Sequence, residues 1–122
     1  MSESIQGMVI TLEAQAAVDE FRAVKVGTAD FAAAVAVDGD APIVGITLFS
    51  AGAGEHASVQ ITGVARAKAG GVVARGALVT AGAAGVLVAS TAGDYSVGVA
   101  LTSAASGDEF SVLLGSYKTS AA

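Results

Sequence analysis

The chain carries the same segment twice. Val44 to Val59, VGITLFSAGAGEHASV, and Val97 to Val112, VGVALTSAASGDEFSV, share eight of sixteen residues when the sequence is slid by 53 positions. Val44, Gly45, Leu48, Ser50, Ala51, Gly54, Ser58 and Val59 meet Val97, Gly98, Leu101, Ser103, Ala104, Gly107, Ser111 and Val112. The same offset pairs Ala14, Ala16, Arg22, Val26, Val35 and Ala36 with Ala67, Ala69, Arg75, Val79, Val88 and Ala89. The reading is therefore a single β domain over residues 9–116 with internal copies at 9–61 and 62–114, an N-terminal arm at 1–8 and a C-terminal tail at 117–122. Two copies make a duplicated unit and not a long solenoid.

Within each copy, short apolar runs are cut by Gly, Ala, Ser and Asp clusters at the spacing of an all-β sandwich or barrel. Strands are expected at Met8 to Leu12, Ala23 to Val26, Phe31 to Val37, Val44 to Phe49 and Ala57 to Val64 in copy one. Copy two should supply Ala77 to Thr80, Val86 to Ser90, Ser96 to Thr102 and Glu109 to Leu114. The fold class is all-β, a small barrel or sandwich built from two duplicated halves, with at most a short helix near residues 12–21. There LEAQAAVDEF has good helix formers, although Gly70 and Gly71 weaken the matching ARAKAGGVVA. Strand parity points Val44, Ile46 and Leu48 (with Val97, Val99 and Leu101) and Ala57, Val59 and Ile61 (with Phe110, Val112 and Leu114) inward. It points Phe49 and Thr102, and Leu113 and Gln60, outward.

Composition narrows the function. A net charge of -5 and six scattered Lys and Arg residues argue against nucleic-acid binding, which needs clustered cations. With 53% hydrophobic residues the chain is too apolar for disorder, and 14% charged residues make a thinly protected surface. The uncharged stretch GALVTAGAAGVLVASTAG, Gly76 to Gly93, carries too many glycines and hydroxyls for a membrane-spanning helix and reads as two short strands. No cysteine is present, which removes disulfides and thiolate chemistry. MSESIQGM lacks the basic start and apolar run of a signal peptide.

The residues that invite chemistry are better explained as turns. AGAGEH would need a following helix and a Lys or Ser/Thr partner to cradle a phosphate. Its copy AASGDE keeps only the glycine and the acid, which is what a hairpin turn needs. His56 has no second histidine with which to build a metal or triad site. Asp38, Asp40, Asp94, Asp108 and Glu109 fall beside expected turns. Lys68, opposite Gln15 at this offset, reads as a surface lysine. No catalytic residue, no metal site and no cofactor is expected.

The order of features resembles the small β-rich capsid decoration, or cement, proteins of tailed double-stranded DNA phages. VGVALTSAASGDEFSVLLG, Val97 to Gly115, carries most of the resemblance, with VGITLFSAGAGEHASVQITGVA, Val44 to Ala65, as its weaker copy. The resemblance implies a non-enzymatic protein, made in the bacterial host cytoplasm, that binds the major capsid protein on the capsid exterior of the virion and stabilises the head, often as a homotrimer. On that reading Ile5, Met8 and Ile10 are candidates for strand addition to a partner. Phe49 and Leu113, apolar in one copy only, are candidate contacts. The alternative is a β-barrel ligand- or carbohydrate-binding module of a virion or larger assembly, and the scarcity of aromatic residues counts against it.

Overall fold

The computed structural model describes residues 5–37, 43–90 and 95–118, with side chains placed at 7–37, 43–90 and 95–115. Asp38, Asp40, Asp94 and the last four residues lie outside the described residues, as does the side chain of Ile5.

Eleven strands follow one another: β1 (Ile5–Gln6), β2 (Val9–Ala14), β3 (Ala23–Val26), β4 (Ala32–Val35), β5 (Ile43–Thr47), β6 (His56–Gln60), β7 (Gly63–Lys68), β8 (Leu78–Ala81), β9 (Leu87–Ala89), β10 (Tyr95–Ala100) and β11 (Glu109–Lys118). A single turn of 3-10 helix at Ala83–Gly85 lies between β8 and β9. The short helix considered near 12–21 is replaced by β2 and a bridge from Val18 to Ala51. The alternation in VITLEA buries Leu12 and Ala14 and exposes Thr11 and Glu13, which decides for the strand. The strand expected from Ala57 to Val64 is two strands, since the chain breaks at Ile61 and Thr62 between β6 and β7.

Strands β2-β4-β3-β5-β6 form a closed barrel, and β1-β7-β11-β10-β8-β9 form a six-stranded sheet. The sheet repeats the barrel. Leu12 faces Ala57 as Ala67 faces Phe110, Val24 faces Val35 as Val79 faces Ala89, and Val24 faces Gly45 as Val79 faces Gly98. The bridge from Ala69 to Leu87 stands where β2 meets β4 and almost closes a second barrel.

These pairs also correct the alignment of the copies. Counterparts are 53 residues apart only from Gly45 and Gly98 onward; they are 55 apart in β2 and β7 (Val9 and Val64) and 54 apart in β4 and β9 (Ala33 and Leu87). Lys68 therefore corresponds to Glu13, and Arg75 to Glu20. The earlier pairs such as Ala14 with Ala67 were coincidences of a chain rich in alanine and valine.

Two apolar clusters hold the molecule together. One fills the first barrel with Leu12, Ala14, Val18, Val24, Ala33, Ala51, Ala57 and Val59. The other fills the second with Phe110, Leu87, Val79, Val97 and Val112, and it also takes in Ala23, Ala36, Ile43 and Ile46 of the first repeat. The expected inward row of Val44, Ile46 and Leu48 is thus divided, with Val44 packed on the first cluster and Ile46 in the second. A register shift makes the division: Val24 faces Gly45 while Lys25 faces Ile43, so Val44 is an extra residue that resets the parity of β5. In copy two, Leu101 lies beyond the end of β10 and is 41% exposed, not inward. Gln60, expected outward, is buried and donates through Nε2 to the carbonyls of Thr62, between the repeats, and of Val64, in β7.

Candidate functional site

The question raised by AGAGEH is settled by its own carboxylate. Gly54 and Gly107 take φ of 82° and 88°, a conformation glycine adopts without a steric penalty. The Glu55 carboxylate accepts from the Gly52 amide, and Asp108 Oδ2 accepts from the Ala105 amide. The amide that would hold an anion is already satisfied by a side chain three residues on. His56 is exposed and faces Glu13 across the ladder.

A cleft of about 340 Å³ opens where the repeats meet, lined by Asp19, Glu20, Phe21, Arg22 and Ser50 of the first and Lys68 and Glu109 of the second. Its wall is the turn at Asp19–Arg22, anchored by Thr47. The buried Thr47 hydroxyl donates to the Asp19 carbonyl (2.8 Å) and accepts from the Arg22 amide (3.0 Å). Arg22 adds a hydrogen bond from Nη1 to the Glu20 carbonyl (2.9 Å) and an ion pair to Asp19 (3.8 Å). Arg66 lies over the Phe21 ring, 5.6 Å from its centroid, and pairs with Glu109 at 3.7 Å. The counterpart turn in the second repeat reads Ala74-Arg75-Gly76-Ala77 and is held by backbone bonds alone, Ala100 standing where Thr47 does. The first repeat has therefore been elaborated here, with a polar anchor and a charged rim. Such a rim suits the recognition of polar groups, and the lining residues offer no histidine or cysteine for nucleophilic chemistry. Among the described residues no three His, Asp or Glu side chains group as metal ligands, and no helix is long and apolar enough to cross a membrane.

The five candidate contacts differ in exposure. Met8, Phe49 and Leu113 are exposed at 60%, 66% and 42%. Ile10 is half-buried against the first cluster, and Ile5 lies in β1, which pairs with β7 of the same chain. More exposed than any of these are Phe31 (83%) and Val72 (82%), neither of which the sequence reading named as a contact; Phe31 was expected to open a strand and lies instead in the loop before β4. The corrected alignment is the signal that finds Phe31, since its counterpart is a glycine.

No curated protein sequence matches the chain. Among solved structures, the head fiber gp8.5 N base of bacteriophage phi29 superposes with a TM-score of 0.71 over 88% of this chain and 93% of that one, at 17% identity, which is a likeness of fold. A family model described as phage cement protein matches residues 3–115. With nearly the whole chain matched, and with the duplicated β architecture that the sequence led us to expect, the chain belongs to the phage cement protein family.

Proposed function

We propose that the protein binds the outer surface of the major capsid shell and stabilises the phage head, as a homo-oligomer with a trimer favoured. The observation that carries the reading is the family match over residues 3–115, and a structural, non-catalytic role is what that family suggests. The surface is consistent with it: Met8, Phe49 and Leu113 are apolar and outward, and few charges oppose burial against a partner. The N-terminal segment is the part we assign to the shell. It adds to β7 through only two register pairs, Ile5 with Val64 and Gln6 with Gly63, so little ladder is lost if it leaves for a partner strand.

The junction cleft is the one feature that favours a ligand-binding module instead. Its aromatic lining is Phe21 alone, with Arg66 over one face of the ring, which is a poor platform for stacking a sugar ring.

The test mixes purified protein with heads that lack decoration and images them by electron microscopy. Ordered extra density on the shell exterior and a higher disruption temperature of the heads are expected. Heads that stay bare at saturating protein would refute the reading. Deleting Met1 to Gly7 should leave a folded protein that no longer protects heads, and full protection by that truncation would remove the segment from the contact.

A further inference from the structure

Because the repeat is internal, the same backbone position can be read twice. Two positions with left-handed φ hold phenylalanine in the first repeat and glycine in the second: Phe21 (58°) against Gly76 (89°), and Phe31 (56°) against Gly85 (80°). Glycine enters this region freely, whereas any residue with a Cβ meets a steric penalty there. Phe21 is used within the chain, under Arg66 at the cleft. Phe31 is not; it stands 83% exposed at the tip of the β3–β4 hairpin, with Val26 67% exposed nearby.

The surroundings of Gly85 show what a tip at this position does. Gly85 is buried, and a Cβ built on it would come within 3.0 Å of the Ala23 carbonyl oxygen, Arg22 Cβ and Val35 Cγ1. The tip of the second barrel is thus seated on β3 and β4 of the first. The reverse contact is not made, since the tip of the first barrel is exposed. A two-fold relation would bury both tips, so the barrels are packed head to tail, a relation that can repeat with further units. The packing leaves two surfaces open: the Phe31 tip, and the seat on the second barrel made by Ala77, Leu78 and Ala89, the counterparts of Arg22, Ala23 and Val35. Ala77 and Leu78 are partly exposed and Ala89 is exposed. The sizes are complementary. A glycine tip sits against Arg22, Ala23 and Val35, and where the tip has grown to phenylalanine the open seat is alanine, leucine and alanine, smaller at two of its three positions.

We propose that the Phe31 tip of one molecule occupies the Ala77, Leu78 and Ala89 seat of a second copy, continuing between chains the packing that the two barrels make within one. This rests on the homo-oligomer reading above and names its surface; it does not depend on the contact with the shell.

Sedimentation velocity of the full chain over a concentration series tests it, with Phe31→Gly and Ala89→Arg as variants and circular dichroism as the check on folding. Phe31→Asn, which tolerates the left-handed region, serves if the glycine variant folds poorly. The expected result is assembly of the native chain, single molecules from each variant, and a one-to-one dimer when the two variants are mixed, because each retains the surface the other lacks. Assembly of Phe31→Gly equal to the native chain would overturn this surface while leaving the oligomer standing. A native chain that stays single at every concentration would overturn both, and a mixture that fails to pair would overturn the head-to-tail arrangement.

Discussion

The two halves are each built on five equivalent strands, yet one closes into a barrel through a ladder and the other is an open sheet whose ends meet at a single bridge. In the first, β2 pairs with β4 at Glu13 and Ala14, extended by bonds from the Glu13 amide to Phe31 and from the Gln15 amide to Ala33. In the second, β7 meets β9 only through Ala69 and Leu87, with the Gly70 amide on the Leu87 carbonyl. The hairpins explain the difference. Six residues separate the pair Val26 and Ala33, and five separate Ala81 and Leu87, so the return strand has one residue less with which to reach its neighbour. Closure of a small barrel thus turns on one residue in a loop. The edge left open on β7 is covered instead by β1, outside the repeat, which guards against unwanted pairing.

The comparison is open to attack at its core. Phe110 and Ala57 are counterparts and both are buried, and the large side chain changes strand between the halves: Leu12 faces Ala57 in the first, and Phe110 faces Ala67 in the second. Phe110→Ala should cost about 3–5 kcal/mol in urea unfolding. A single transition is expected, since the cluster holding Phe110 also contains Ala23, Ala36, Ile43 and Ile46 of the first repeat. An early transition confined to the second barrel would show that the halves stand independently.

A smaller effect separates the turns. Thr47→Val removes the buried hydroxyl that anchors Asp19 and Arg22, at a cost of about 1–3 kcal/mol. The second repeat holds the same turn with Ala100, so a neutral result would mean that the elaborated turn needs no anchor.

The smallest effect should be identical in both halves. Nothing lies within 4 Å of a Cβ built on Gly54 or Gly107, so alanine at either would meet only the backbone penalty of about 1–2 kcal/mol. Unequal losses, measured by thermal and urea unfolding, would mean that the two turns are not equivalent after all.

What the sequence disclosed depended on how demanding each position was. Gly45 and Gly98 were matched correctly because neither can change: a Cβ at either would overlap the carbonyl oxygen of Gln60 or Leu113. Gly54 and Gly107 were matched for their φ. The front of each copy was misaligned because alanine and valine satisfy a small barrel in many registers: the true identities there, such as Val9 with Val64 and Val24 with Val79, are no more numerous than the chance ones and are split between two offsets. Most of β7 was missed for the same reason, its alternation of Ala65 and Ala67 being too small to read as an inward face. The cleft was invisible, since the Asp19–Arg22 turn faces Lys68 and Glu109 only through the packing of one repeat on the other. The bulge at Val44, which hands Ile46 to the second core, leaves no mark in the residue types.

The placement of the two chain ends has a mechanical consequence. β1 and β11 flank β7 on opposite sides, and both run antiparallel to it. Ladder bonds lie across the strands, so tension between the two ends of the chain pulls along them and loads each ladder in shear. Bonds loaded this way share the force and break together, unlike those of a hairpin peeled open one by one. The two pairs of β1 yield first, whereas β11 is held by five pairs to β7 and five to β10, so a weak link at β1 stands against a strong one at β11.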